Sequence, residues 1–355
     1  MSKQTYIKVA GEWKKVIRVC KNVGGVWEKQ TVPKLNVAGV YKDCMVYYPQ
    51  LYGDYEETIT PGSLGIATED AVAFSSDFNY VYFYTSDDYL HCYNLVTGGE
   101  EWSVVLDNVE DIQISADNTK LYVTYNASDL IEVNASTGST IRTLATGSAD
   151  NNIGSVLSPD GLYIYFAKMV SSGGDELLKI RLSDGAVIWT KTGMYIGYGK
   201  ITITSDGGLV YLTDWSRRDV TEEYIIGINT STKTIDFDMA HPFNSHKYAR
   251  LSSDDSEMYI TDMDGRVAKI TLATQTVEWT LSLGYLETEY SLLDNLNIYL
   301  YTMARDGVIR RVSTTDGATK TLPYSTFGNY SAGIAFDDDN EEGYLVGNAG
   351  IRKIK

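Results

Sequence analysis

The chain repeats itself at a nearly fixed period. An aspartate is followed five residues later by a tyrosine in seven places: Asp77 and Tyr82, Asp117 and Tyr122, Asp160 and Tyr165, Asp206 and Tyr211, Asp254 and Tyr259, Asp294 and Tyr299, and Asp339 and Tyr344. The tyrosines stand 40, 43, 46, 48, 40 and 45 residues apart. A second element follows most of these marks, as in LHCYNLVTGGEEW (90–102), LLKIRLSDGAVIW (177–189) and VAKITLATQTVEW (267–279). Each of these reads as an alternating strand, a tight turn and another strand. A repeat of this length dictates that all units are built alike and that each buries a face against its neighbour.

One unit is then an apolar strand, a Ser/Asp/Gly turn, a strand carrying the tyrosine, a variable loop, an alternating strand, a tight turn and a last strand that often contains Trp. This is a four-stranded meander of the length of a propeller blade. Composition agrees: 28 Tyr and 31 Gly beside 6 Pro suit half-exposed strands and tight turns better than helices. The expected fold is all-β, a seven-bladed β-propeller of four-stranded blades over residues 54–355. The seventh unit stops at IRKIK (351–355), its third strand, so DYEETIT (54–60) is predicted to supply the fourth and seal the ring. Trp102, Trp189 and Trp279 recur with the blades and are expected to be packing residues.

The units resemble the YVTN and PQQ-type families of propeller repeats: SPDGLYIYFA (158–167) and KLYVTYN (120–126) are similar to the former, LHCYNLVTGGEEW and LLKIRLSDGAVIW to the latter. The resemblance implies the fold but little chemistry, because such blades carry dehydrogenases, scaffolds and binding modules alike. Quinoprotein dehydrogenases of that kind have a disulfide and a calcium site beside the cofactor. The sequence holds three cysteines, Cys20, Cys44 and Cys92, with no Cys-Cys pair and no matching ligand cluster. No cofactor is therefore carried over.

Residues 1–49 hold a shorter repeat. Val9-Ala10-Gly11-Glu12-Trp13, Val23-Gly24-Gly25-Val26-Trp27 and Val37-Ala38-Gly39-Val40-Tyr41 are in step at 14 residues, which predicts three β-hairpins with a glycine in each turn. The segment carries nine basic groups and three acids, a net of +6. The whole chain is at -17, so the remainder carries -23. Such an acidic body disfavours nucleic acid and anionic membranes as partners. No run of 18 apolar residues and no secretory leader is read, so membrane insertion is not expected and the protein is expected to be made in the cytoplasm. The 14-residue pattern resembles segments of tailed-bacteriophage tail and fibre proteins. That resemblance implies an N-terminal anchor, with Trp13, Trp27 and Tyr41 as assembly residues, docking onto other virion proteins.

The meander order puts the first-to-second and third-to-fourth turns on one face, the turn face. The second-to-third and blade-to-blade connections lie on the other, the loop face. The loop-face connections are long, varied and aromatic, and connecting loops are where binding residues concentrate. Tyr195, Tyr198, Trp215, Arg217, Arg218, His241, Phe243, His246, Tyr248, Tyr285, Tyr324, Phe327 and Tyr330 are the candidate recognition residues. Large rigid side chains with polar handles suit a protein or glycan surface. Packing within the loops is the plain alternative for each. His241 and His246 lack a third ligand, so no metal site is read. No GxSxG, HExxH or Walker pattern occurs, and the loop carboxylates Glu222, Glu223, Glu287 and Glu289 alone speak for glycoside chemistry. The leading reading is a non-enzymatic virion protein, a homo-oligomer or part of a larger assembly, whose propeller meets a host receptor, a glycan or a neighbouring protein. The alternative is a cellular scaffold or interaction propeller, and the third is a polysaccharide-acting enzyme.

Overall fold

The computed structural model describes residues 6–9, 12–15, 20–23, 26–29, 34–37, 40–43, 56–61, 64–66, 71–125, 129–146, 151–169, 175–194, 200–216, 223–240, 243, 246–284, 288–294, 297–304, 308–322, 331–337, 342–348 and 350–354. The chain divides into two compact units, Met1–Tyr52 and Gly53–Ile354. In the first, Tyr6–Val9 pairs with Glu12–Lys15, Cys20–Val23 with Val26–Lys29, and Lys34–Val37 with Val40–Asp43. Trp13, Trp27 and Tyr41 lie on these strands, and their side chains are outside the described residues.

The second unit is a ring of seven antiparallel four-stranded sheets. Blade 1 is Val72–Phe74, Tyr80–Tyr84, Tyr89–Asn94 and Glu100–Val105. Blades 2 to 6 repeat the same meander, with first strands Val109–Ile114, Asn151–Leu157, Ile201–Ile203, His246–Leu251 and Thr288–Leu293. Blade 7 takes Ser331–Asp337, Glu342–Gly347 and Gly350–Ile354 from the C-terminus, and its outermost strand is Glu56–Pro61 from the far end of the unit. The expected closure therefore holds, by a strand over Glu56–Pro61 in place of the predicted 54–60. Consecutive first strands neighbour one another around the ring, and the first strand of blade 7 lies beside that of blade 1.

The repeated tyrosine explains why the sequence folds this way. Tyr82, Tyr122, Tyr165, Tyr211, Tyr259, Tyr301 and Tyr344 are each the third residue of a second strand, and all are buried. In blade 6 this corrects the sequence reading. Asp294 accepts the place held elsewhere by a serine or threonine, its N–H bonding the Tyr299 carbonyl as Ser75 N–H bonds that of Tyr80. The core residue is thus Tyr301, not Tyr299, and the spacing of five at Asp294 and Tyr299 is a coincidence of two neighbouring tyrosines. Counted through Tyr301, the steps become 40, 43, 46, 48, 42 and 43 residues.

Across each blade the tyrosine faces one third-strand residue, which faces one fourth-strand residue. Blade 1 has Tyr82, Cys92 and Trp102; blade 3 has Tyr165, Lys179 and Trp189; blade 5 has Tyr259, Lys269 and Trp279. These rows hold neighbouring blades together. The indoles of Trp102 and Trp189 donate to the carbonyls of Ala135 and Thr230 in the next blade, at 3.0 and 3.1 Å. The Lys269 ammonium likewise reaches the Thr314 carbonyl at 3.2 Å. In blade 2 the row is ionic: buried Glu132 takes Lys120 and Arg142, each at 2.6 Å. In blade 4 the third-strand place is Gly227, between Tyr211 and Phe237, whose rings meet edge-on at 5.3 Å. A Cβ there would sit 2.8 Å from the Phe237 Cβ and 3.0 Å from the Tyr211 ring. Gly227→Ala is therefore expected to cost about 1–3 kcal/mol by overpacking. Phe237→Ala in the same chain should add less than it does alone, a non-additivity that a double-mutant cycle in denaturant melts will read.

Candidate functional site on the loop face

The two faces of the ring differ in what their polar groups do. On the turn face the repeated aspartates cap their own turns. Asp117 accepts from the Ser115 hydroxyl at 2.6 Å, the Thr119 hydroxyl at 2.8 Å and the Thr119 N–H at 3.1 Å. Asp254 accepts from Ser252, Ser256 and the Ser256 N–H in the same way. These hydrogen bonds, the hydroxyl donors first, hold both carboxyls down at about 2. Neighbouring turns are also joined: Asn118 bonds Ser76, Asp255 bonds Ser205 and Asn297 bonds Ser253 of the preceding blades.

A pH dependence follows with a fixed sign. A carboxyl whose value is lower in the folded chain stabilises fully above its ordinary value near 3.8, and that gain is lost as pH falls toward about 2. Asp117→Asn with Asp254→Asn should thus melt below the parent at pH 5, and the gap should close as the pH approaches 2. A gap that stays constant over this range contradicts the assignment.

On the loop face the described polar groups bridge elements at the mouth of the ring. Asp111, at the start of the blade 2 core, accepts from the Ser155 N–H at 2.9 Å and hydroxyl at 2.7 Å in blade 3, and from Gln113 at 3.0 Å. Nearer the turn face, in the first strands of blades 5 and 6, the Arg250 guanidinium lies 5.4 Å from the Tyr248 ring and 5.6 Å from the Tyr290 ring, and donates to the Ser291 carbonyl at 2.7 Å. Asp262 is fully buried under the turn of blade 5, where it accepts from the Arg266 N–H at 2.6 Å and from its guanidinium. Burial raises the Asp262 carboxyl in spite of those bonds. The Arg266 guanidinium in turn covers the Phe243 ring at 4.8 Å.

Two of the predicted recognition residues are accordingly packing residues. Phe243 is 5% exposed and Tyr248 is 2% exposed, and the aromatic faces read as contact area are covered by Arg266 and by Arg250 with Tyr290. Trp215 and His246 lie on strands, with side chains outside the described residues. Tyr195, Tyr198, Arg217, Arg218, His241, Tyr285, Tyr324, Phe327 and Tyr330 lie outside the described residues altogether.

One group was not singled out from the sequence. His91 has its Nε2 2.9 Å from the Thr85 hydroxyl and its Nδ1 3.3 Å from Glu100, and its ring stacks on Phe83 at 5.4 Å. The chain of hydroxyl, imidazole and carboxylate has the connectivity of a nucleophilic relay. Thr85, however, is 3% exposed, and its hydroxyl also meets the Asp87 carboxylate and the Tyr89 carbonyl. It therefore works as a turn cap with no approach for a substrate. Only strand register brings these residues together, so no sequence motif signals them. Among the described residues no group of three His, Cys, Asp or Glu side chains is placed to hold a metal ion. No helix among them is long and apolar enough to cross a membrane.

Sheet order and closure define a seven-bladed β-propeller of four-stranded blades. Residues 66–280 match the PQQ_2 family model, described as outer membrane protein assembly factor BamB, and the chain belongs to that family. The solved β-propeller domain of Cps50 (Swd1) from Myceliophteria thermophila is similar in fold, with a TM-score of 0.65 at 13% identity, covering 84% of this chain and 99% of that one. No curated protein matches.

Proposed function

We propose that this protein is a non-catalytic interaction platform, a scaffold propeller whose loop face receives a partner protein. The observation that carries this reading is the division between the faces: the turn face uses its acids to cap turns and join blades, whereas the variable connections all emerge on the other side. Membership of a family described by an assembly factor supports a scaffold over an enzyme. The test uses exposed apolar positions on each face. A photo-crosslinking residue at Tyr89 or Met263, on the loop face, should capture a defined partner in native extract; one at Val96 or Leu162, on the turn face, should not. Capture from the turn face alone would reverse the assignment.

A second reading makes the platform a bacteriophage virion appendage docked through residues 1–49. It rests on the 14-residue repeat of Gly11, Gly25 and Gly39 and on the charge contrast of +6 against -23. Deleting residues 1–49 should then abolish incorporation into particles while the propeller stays folded. Incorporation of the shortened chain would remove this reading and leave the scaffold.

A further inference from the structure

The apolar wall of the ring is incomplete where blades 6, 7 and 1 meet. A cavity of about 220 Å³ opens there between the first strands, walled by Phe74, Phe78, Phe336 and Leu292. The register contributes to it. The first-strand residue opposite the repeated tyrosine is Gln113, Val156, Thr202, Arg250 and Leu292 in blades 2 to 6, whereas blades 1 and 7 have Ala73 and Ala335; Ala73 is packed in the core between blades 1 and 2, and Ala335 lines the cavity. The space left is larger than the engineered cavity of about 150 Å³ known to admit benzene. It therefore has room for one aromatic ring and a short tail.

One charged group lines it. Asp294 stands where blades 1 to 5 have Ser75, Ser115, Ser158, Thr204 and Ser252, and where those blades put their capping aspartate two residues later, blade 6 has Leu296. The exchange moves a carboxylate from the turn tip to the cavity, where its Oδ1 accepts the Ile298 N–H at 2.7 Å. A mostly apolar concavity with one fixed polar group is the usual build of a small-molecule site. Aromatic walls and a carboxylate both favour a cation, and a body at -23 draws cations toward it.

We propose that the cavity between blades 6, 7 and 1 binds a small aromatic ammonium ion, its ring among Phe74, Phe78 and Phe336 and its charge at Asp294. The site is separate from the loop face and does not depend on the partner reading. The test is calorimetric titration of the full chain with 2-phenylethylammonium, its neutral analogue 2-phenylethanol and the anion 3-phenylpropionate. The ammonium should bind saturably and at least tenfold more tightly than the alcohol, and the anion should not bind. Asp294→Asn should bring ammonium and alcohol to equal affinity. Ala335→Leu, which installs the blade 6 residue, should weaken both tenfold or more; Leu292→Phe serves as a second filling variant if the first does not fold. Absence of saturable ammonium binding, or binding that survives a folded filling variant, overturns the proposal.

Discussion

Deleting residues 1–61 is expected to unfold the propeller or leave it aggregated, while deleting residues 1–52 should leave its melting temperature unchanged. The nine-residue difference contains the closing strand Glu56–Pro61, which pairs with Gly350–Ile354 along its whole length. Without it, a third strand carrying the buried Ile351 and Ile354 becomes an open edge. Exposing two such side chains costs about 1.5–3 kcal/mol each, and Ile59 leaves the cluster it shares with Leu95 and Tyr344 between blades 7 and 1. The sum is comparable with the roughly 5–15 kcal/mol net stability of a folded domain. An unpaired edge of this kind also recruits other chains. Melting curves and light scattering on the two truncations will read both effects. Equal stability of the two would mean that the ring does not depend on its N-terminal strand.

The second large effect separates two adjacent tyrosines. Tyr301→Ala should cost about 3–5 kcal/mol, as expected for truncating a buried aromatic, because Tyr301 is 6% exposed and meets Phe336 at 4.7 Å. Tyr299→Ala should cost less, about 1–2 kcal/mol, since Tyr299 is half-buried, with the Arg311 guanidinium 4.0 Å over its ring and the Tyr301 ring at 6.5 Å. Denaturant midpoints of the two variants compare them directly. The reverse order would restore Tyr299 as the repeat position and shift the blade 6 register by two residues.

That pair also shows what a sequence can and cannot reveal in a fold of this kind. Seven units, their meander order and the closure by the N-terminal strand were legible, because every blade needs the same apolar spacing and a blade lacking its outer strand must borrow one. The register of blade 6 was not, because Asp294 and Tyr299 reproduce the spacing of five in a turn where aspartate has taken the serine position. At the candidate site, aromatic content pointed to the loop face but did not distinguish contact residues from packing. Phe243 sits beneath Arg266 of the blade 5 third strand, and Tyr248 beneath Arg250, two residues along its own strand, and against Tyr290 of the next blade. The hydrogen-bonded chain at His91 and the cavity at Ala335 arise from cross-strand pairing and from the meeting of three blades. Neither leaves a mark along the chain.

The two distinct faces require a ring closed in the register in which Thr58 stands opposite Arg352. The most direct measurement is a paired substitution, Thr58→Cys with Arg352→Cys, assayed for an intramolecular crosslink under mild oxidation. Facing positions on paired strands fall within disulfide reach. The closed ring predicts rapid, near-complete crosslinking within one chain and a raised melting temperature. Free thiols, or crosslinks only between chains, would contradict it.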